Sequence, residues 1–191
     1  MRENIGPILN RYLDYFPEEK ESLEQLEDFI EQNKENQEAI YSSKNTVGHV
    51  TASGFLYDKR DKKLLLLKHK KLEKWLQPGG HSEKIDNSLL ETAKREIFEE
   101  TGLKNLDLVK WSGNDIIPFD INTHLIPKNP NKNMPAHYHH DFRFLFVVEK
   151  MEAIKIDEKE SNGYIWANID EIQDLENRER IIEKLKKILN E

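Results

Sequence analysis

Three glutamates near the middle of the chain are the residues that most directly indicate chemistry. Glu96, Glu99 and Glu100 stand at positions i, i+3 and i+4, so a helix would project their side chains from neighbouring turns of one face. Bringing like charges together is unfavourable unless a positive partner lies among them. A divalent cation is such a partner, and oxygen-only ligands suit Mg²⁺ or Mn²⁺. The spacing therefore predicts a metal site.

The sequence before these glutamates predicts a glycine loop that leads into a helix. Gly79 and Gly80 have no Cβ, so their backbone can approach a phosphate or a metal closely. Ser88 is expected to cap a helix that extends to Glu100. Gly102 is the left-handed residue expected just after the last turn. Such a helix would hold its carboxylates rigidly beside the loop.

The residues that begin at Arg95, with the sequence REIFEETGL, fit the pattern R-E-U-x-E-E-x-G-U, where U is aliphatic. This pattern resembles the signature of the Nudix hydrolases, and the LQPGGH segment before it resembles the approach to that signature. The resemblance extends over about residues 47–174. It implies an α/β fold, namely an α/β/α sandwich with a mixed β-sheet. It also implies hydrolysis of a diphosphate linked to another group, by attack of water on phosphorus.

The resemblance assigns roles to individual residues. Contacts to Mg²⁺ or Mn²⁺ are expected from Glu96, Glu99, Glu100 and Gly80. Catalytic roles are expected for Glu99, Glu100 and Glu160, where Glu160 precedes Trp166 in a loop that holds a base or an extra ligand in some members of the family. The alternative for Glu160 is an exposed acidic loop.

The structural positions of the signature are expected to be Arg95, Asp86, Gly79 and Gly102. Here the chain departs from the family, because the interval from Gly80 to Arg95 is one residue longer. Asp86 is therefore expected to take the place of a glutamate whose role in the family is mainly structural. Arg95 is expected to pair with such a loop carboxylate and so to fix the approach of the glycines.

Candidate substrate residues follow from the alternation of a strand near residue 140. If Phe142 faces the core, then His139, Asp141 and Arg143 share the opposite face. We hypothesise that this face contributes to a substrate pocket, with Arg143 on a phosphate. Two alternatives are a His/Asp metal site for Zn²⁺ or Ni²⁺ and a polar loop that hydrogen-bonds to itself. Three loop residues are candidates to join this face, namely Asp120, Asn122 and His124.

Two further residues border the expected cleft. His81 directly follows the glycine pair and is a candidate phosphate contact. Trp75 is a candidate for stacking on a base, although a core position is the more frequent outcome for an aromatic residue.

The composition limits the classes of partner. The chain of 191 residues has 29 basic and 36 acidic residues and a formal net charge of −7, which argues against nucleic-acid or membrane binding. It contains no cysteine, so disulfides and thiolate metal sites are excluded. The longest apolar run is Leu64–Leu67, and no signal-like segment begins the chain. A cytoplasmic enzyme acting on a small-molecule diphosphate is expected.

The chain divides into two parts by composition. Residues 1–45 are expected to form an N-terminal helical extension, and residues 46–191 the catalytic domain. The extension is expected either to cover the cleft or to mediate a homodimer, and the sequence does not separate these uses. In the second part a hairpin is predicted from His49–Tyr57 and Lys63–Lys70, and a further strand from Leu106–Ile117.

The remaining segments are predicted as follows. Residues 118–135 are expected to form a long loop, and Phe142–Val148 the strongest strand. A short strand is expected at Tyr164–Ala167, and helices near Ile169–Leu175 and Arg178–Asn190.

Two other functions remain open at this point. An isomerase acting on isopentenyl diphosphate shares the expected fold, but its chemistry commonly uses a cysteine, which this chain lacks. A module that senses a nucleotide without cleaving it would have no need for a complete set of metal carboxylates. Hydrolysis is therefore the favoured prediction.

Overall fold

The computed structural model describes residues 2–113, 115–130, 134–148, 153–172, 174 and 177–189. Its helices are α1 (Ile5–Tyr15), α2 (Lys20–Gln32), α3 (Gln37–Tyr41), α4 (Leu89–Thr101) and α5 (Arg178–Leu189). Its strands are β1 (Gly48–Asp58), β2 (Lys63–His69), β3 (Trp75–Leu76), β4 (Gly79–His81), β5 (Asp107–Leu108), β6 (Asp120–Ile126), β7 (His137–Val148) and β8 (Ser161–Asn168). Short 3₁₀ helices lie at Pro17–Glu19 and Ile169–Glu171.

The strands form one mixed sheet around the parallel pair β1 and β7. The first half of β1 pairs with β4 and its end pairs with β2, whereas β7 pairs with β6 and then with β5. All of these other pairs are antiparallel, as are β2 with β3 and β2 with β8. The parallel register sets His49 opposite His139 and Ser53 opposite Arg143. Polar residues of neighbouring strands therefore lie side by side on one face.

The hydrophobic core has two parts, one on each face of the sheet. On one face, Ala52 and Phe142 pack with Ile97 of α4. On the other face, Phe55 and Leu145 pack with residues of α5. Because residues of one strand alternate between these two clusters, the sheet is covered by helices on both sides. The prediction of an α/β/α sandwich with a mixed sheet is confirmed.

The N-terminal helices pack into the same core as α4. Leu9 of α1 and Leu26 of α2 are fully buried in the cluster that contains Ile97. The division of the chain at residue 45 stays a prediction. Among the described residues, no helix is long and apolar enough to cross a membrane.

Two of the predicted elements are wrong. The strand predicted at Leu106–Ile117 is reduced to β5, because its pairing with β7 extends over Asp107 and Leu108 and a turn follows at 111–113. The loop predicted at 118–135 contains β6, which pairs with β7 along its whole length. The backbone of these polar residues is therefore satisfied by the sheet, despite a composition that is typical of loops.

The other predicted elements are confirmed with small changes of boundary. The hairpin, α4, the strand containing Phe142–Val148 and the strand near Tyr164 are all present, and β7 begins earlier than predicted. The helix predicted at Ile169–Leu175 is a single 3₁₀ turn in its first residues, and positions 173 and 175 lie outside the described residues. Position 190, the predicted end of the last helix, also lies outside them.

Candidate active site

Helix α4 presents two of its glutamates to strand β4 and leaves the third at the surface. The helix is fixed at its start by Ser88, whose hydroxyl accepts a hydrogen bond from the Glu91 N–H, and at its end by Gly102 with φ 75°. Glu96 has a side chain only 14% exposed, whereas that of Glu99 is 52% exposed. The predicted face is therefore divided into an inner and an outer part.

Arg95 connects this helix to the loop before it. Its guanidinium donates to Asp86 at 2.9 Å, to Glu96 at 3.0 Å and to Glu99 at 3.1 Å. It also donates to the backbone carbonyl of His81 at 2.7 Å. Burial acts to raise the pKa of Asp86, but hydrogen bonds from Arg95, the Glu83 N–H and Thr92, together with the charge of Arg95, outweigh it and leave the pKa below its ordinary value of 3.8. Asp86 is thus an ionised anchor for Arg95, and Arg95 holds the carboxylates in place.

The two glycines of β4 lie directly against the inner carboxylates. The Gly79 N–H donates to Oε1 of Glu100 at 3.1 Å. A Cβ on Gly80 would lie 2.7 Å from the carboxyl oxygens of Glu96, which is closer than real Cβ contacts. Strand β4 is held in this position by its register with β1, where Gly80 is opposite Ala52. The absence of side chains at both positions is therefore what lets backbone and carboxylates meet.

Burial also changes the protonation of the two inner glutamates. It raises the pKa of Glu96 to about 7 and that of Glu100 to about 8. The charges of neighbouring carboxylates add to this effect. Those of Glu96 and Glu160 raise the pKa of Glu100, and those of Glu99 and Glu160 raise the pKa of Glu96. Arg95 is paired with Glu96 and Glu99, whereas Glu100 accepts only the Gly79 N–H among the described residues. A divalent cation would relieve this repulsion, and its preferred carboxylate and carbonyl oxygens are those that the site offers.

Glu160 lies at the same place, in the turn that precedes β8. Its backbone carbonyl accepts a hydrogen bond from the Lys70 N–H at 2.8 Å. The charge of its carboxylate raises the pKa of both Glu96 and Glu100, which are distant from it in the sequence. Asp157, which we did not single out in the sequence, also acts on Glu100. The fold therefore brings the predicted catalytic loop to the glutamates of α4.

Arg143 and Asp141 are buried in a polar layer between β1 and β6. Arg143 has a side chain 4% exposed, and it donates to Asp141 at 3.0 Å and to Asp120 at 3.2 Å. Asp141 also accepts hydrogen bonds from the hydroxyls of Thr51 and Ser53. The guanidinium thus already has two carboxylate partners, and its predicted contact with a phosphate stays a prediction.

Thr51 and Ser53 of this layer were not predicted from the sequence. Both alternate with the buried residues of β1, and this alternation is the signal that could have placed them beside Asp141. Asn122 and Asp120 were expected in a loop. In the structure they lie on strand β6, opposite Asp141 and Arg143.

His139 and His81 lie in a cluster of histidine rings at the beginning of β1 and β7. The ring of His139 is 4.5 Å from that of His49 and 5.2 Å from that of His81, centroid to centroid. Burial, followed by the neighbouring histidines, lowers the pKa of His139 to about 2 and that of His49 to about 4. These rings are therefore neutral near pH 7.

Trp75 lies on β3, which pairs with β2. Its ring packs against the core on the α5 side, and Nζ of Lys68 lies 5.3 Å from the ring centroid. Its backbone N–H donates to Asp174 at 2.9 Å. The side chain is thus partly buried by the core, and its stacking on a base stays a prediction.

Comparison with known proteins gives consistent results. The family model of the NUDIX domain matches residues 47–188. A probable DHNTP pyrophosphohydrolase of Lactococcus lactis subsp. cremoris (strain MG1363) is 36% identical over 104 residues, which are 54% of this chain and 57% of that protein. The chain thus matches little more than half the length of this relative.

Two examples illustrate the similarity of this fold to solved structures. An Ap4A hydrolase of C. elegans in a binary complex is 17% identical, covers 74% of this chain and 97% of its own, and has a TM-score of 0.56. A hydrolase of the NUDIX family from Clostridium perfringens is 27% identical, covers 75% of this chain and 98% of its own, and has a TM-score of 0.52.

Proposed function

Because the chain belongs to the Nudix family, we propose that it is a pyrophosphohydrolase that depends on a divalent metal. The observation that carries the proposal is the pair of partly buried carboxylates, Glu96 and Glu100, held against the glycine strand. Glycine at position 80 leaves the space that a side chain would fill beside Glu96. Nudix hydrolases generally act with divalent metals, and this group of carboxylate and carbonyl oxygens fits Mg²⁺ or Mn²⁺.

The metal would be held by Glu96, Glu99, Glu100 and the backbone of Gly80. When bound, it would supply positive charge for the phosphate oxygens and acidify the attacking water. Arg95 fixes the carboxylates through its hydrogen bonds to Glu96 and Glu99. A pyrophosphate gathers negative charge in its transition state, so charge placed beforehand lowers the barrier.

Glu160 is proposed to accept the proton of the attacking water. Water forms a new bond to one phosphorus, the bond from this phosphorus to the bridging oxygen breaks, and the second phosphate group departs with that oxygen. Glu160 is suited to this role because it lies near Glu96 and Glu100 and is exposed to solvent. An exposed carboxylate can receive a proton and return it to bulk water between turnovers.

The substrate is proposed to be a nucleoside diphosphate linked to another group. The contacts proposed for it are Arg143, His139, Asp141, His81 and Trp75. Because the relative from Lactococcus lactis is a probable DHNTP pyrophosphohydrolase, dihydroneopterin triphosphate belongs among the compounds to be tested, together with ADP-ribose, nucleotide sugars, dinucleoside polyphosphates and nucleoside triphosphates.

The test is a screen of these compounds with Mg²⁺ and Mn²⁺, read as phosphate release after coupling to a phosphatase. For the best substrate, Glu100→Gln is expected to lower kcat by about 100-fold or more, because it removes a charge placed for the transition state. Glu24→Gln is the matched control, since it makes the same chemical change at an exposed position of α2. Equal activity of the wild type and Glu100→Gln would show that the assigned role is wrong.

A further inference from the structure

Histidine rings gather at one end of the sheet in unusual density. The chain has 7 histidines, and five of them form a continuous set of ring contacts between 4.5 and 5.7 Å, centroid to centroid. These five are His49, His81, His124, His137 and His139. The register explains the grouping, because His49 and His124 both lie opposite His139 on neighbouring strands. The cluster is thus built by four strands of the sheet, β1, β4, β6 and β7.

The ring nitrogens of three of these residues converge. One nitrogen from each of His49, His137 and His139 lies within 4.8 Å of the other two. Nε2 of His49 is in addition 3.0 Å from Nε2 of His81. Nitrogen ligands of one tetrahedral Zn²⁺ are about 3.3 Å apart, given bonds of roughly 2.0–2.1 Å. Small rotations of the rings would therefore bring the three nitrogens to coordinating distance.

The hydrogen bonds of the cluster leave ligand atoms available. Nδ1 of His137 is 2.9 Å from the Pro135 carbonyl oxygen, and a carbonyl only accepts, so Nδ1 carries the proton and Nε2 keeps a lone pair. A backbone carbonyl on the far nitrogen is the usual way in which a metal-binding histidine is oriented. Nδ1 of His49, whose residue is 1% exposed, has no hydrogen-bond partner among the described residues.

The chemistry of the cluster favours a metal over an anion. His49 and His139 are packed against other imidazole rings, so a positive charge on one of them would be repelled by a positive charge on its neighbours. A neutral imidazole offers little attraction to a phosphate but is the form that binds a metal. Imidazole ligands suit Zn²⁺ and similar late first-row ions, whereas the oxygens of α4 suit Mg²⁺.

We propose that His49, His137 and His139 form a second metal site, selective for Zn²⁺ or a similar late first-row ion, separate from the glutamate site. Three protein ligands leave a fourth coordination position open. A substrate group could occupy this position, so a role of His139 as a metal ligand is compatible with its proposed place in the substrate pocket. The ion would join the beginnings of β1 and β7. It would also lie near His81, which directly follows Gly80 in the chain.

The test measures binding of Zn²⁺ by calorimetry to metal-free protein, in the presence of excess Mg²⁺ that occupies the glutamate site. We expect one Zn²⁺ per chain. His137→Asn and His139→Asn are expected to weaken binding about 10–100-fold or more. In the first of these variants the Asn amide can still donate to Pro135, while the position of Nε2 is lost. His69→Asn, outside the cluster, is expected to bind as the wild type does.

Two further measurements make the result decisive. Glu100→Gln is expected to retain the Zn²⁺ site, and Co²⁺ in the wild type is expected to give the strong visible absorption of a four-coordinate nitrogen site. Loss of Zn²⁺ binding in Glu100→Gln, or unchanged binding in both cluster variants, would overturn the proposal. A wild type that binds no Zn²⁺ above excess Mg²⁺ would overturn it as well, without any effect on the proposed hydrolysis.

Discussion

At the scale of single residues, one glycine determines how closely the backbone approaches the carboxylates. The position that a Cβ would take on Gly80 is 2.7 Å from the carboxyl carbon and from both oxygens of Glu96. Glu96 is in turn held by Arg95, which is also bound to Asp86. The side chain therefore has little freedom to move aside. A methyl group at this position would displace the carboxylate rather than pack against it.

Gly80→Ala is therefore expected to weaken Mn²⁺ binding by about 10–100-fold, the size of effect seen when a group that orients a ligand is lost. Binding can be followed by the electron paramagnetic resonance signal of free Mn²⁺, and activity should fall in parallel. Gly163→Ala is the matched control, because a Cβ there meets nothing within 4 Å. Wild-type Mn²⁺ affinity in a folded Gly80→Ala protein would contradict the assignment of Glu96.

The sequence predicted the composition of this site better than its geometry. The spacing of Glu96, Glu99 and Glu100 indicated a common face, but in the structure Glu96 and Glu100 are partly buried and Glu99 is half exposed. The alternation of β7 correctly predicted that Asp141 and Arg143 share a face. It could not show that a neighbouring strand supplies Asp120 as a partner for Arg143, because a single strand carries no information on what lies beside it.

At the scale of elements, α4 lies close to the sheet because β1 has a glycine beneath it. A Cβ on Gly54 would lie 2.5 Å from Cδ1 of Ile97 and 3.0 Å from the ring of Phe146. Ile97 and Phe146 are both in the packed core on the α4 side. The distance between helix and sheet therefore depends on this position, and the same helix carries the glutamates.

Gly54→Ala is expected to destabilise the protein by about 1–3 kcal/mol, the cost of overpacking a core. Adding Ile97→Val should recover part of this loss, since valine lacks the Cδ1 atom that the new methyl group meets. Ile97→Val alone is expected to cost about 0.5–1.5 kcal/mol. Urea unfolding of the four proteins gives the coupling energy. Additive effects would show that the two positions do not determine the spacing together.

Elements whose apolar residues recur at the spacing of a helix or a strand were predicted correctly. Strand β6, which lacks such a pattern, was not. Ala93 and Ile97 of α4 are fully buried, as the helical stripe indicated. Strand β6 was missed because Asp120, Asn122 and His124 occupy one of its faces, and polar residues near a proline are typical of a loop. In the structure that face joins a buried polar layer instead of solvent. The hydrophobic pattern on which prediction depends is absent there.

At the scale of the whole molecule, a buried group of charges joins both ends of the chain to the sheet. Nζ of Lys184 on α5 is 2.6 Å from Glu19 and 2.9 Å from Asp120 of β6. Arg180 is 3.0 Å from Asp120, and the Tyr12 hydroxyl of α1 donates to Glu19 at 2.6 Å. From the sequence these residues looked like ordinary charges of surface helices, because their partners are distant along the chain.

Asp120 is connected to the N-terminal helices through this group, because Lys184 contacts both Asp120 and Glu19. Asp120 is completely buried, and burial acts to raise its pKa, but Lys184, Arg143 and Arg180 outweigh burial and lower the pKa below its ordinary value of 3.8. A carboxylate with a lowered pKa stabilises the fold at pH values above that of the unfolded chain. The stabilisation is lost as the pH falls through the lower value of the folded state.

Asp120→Asn is therefore expected to lower the free energy of unfolding by about 3–5 kcal/mol near pH 7, because it removes the carboxylate that Lys184, Arg180 and Arg143 share. Asp115→Asn is the matched control, since its ion pair with Arg11 is exposed on both sides and should matter by less than about 1 kcal/mol. Urea unfolding at several pH values measures both. The difference between the wild type and Asp120→Asn should be constant from about pH 5 to 8 and shrink below about pH 4. A difference that grows toward acid pH, or none at pH 7, would show that Asp120 does not hold the two ends of the chain to the sheet.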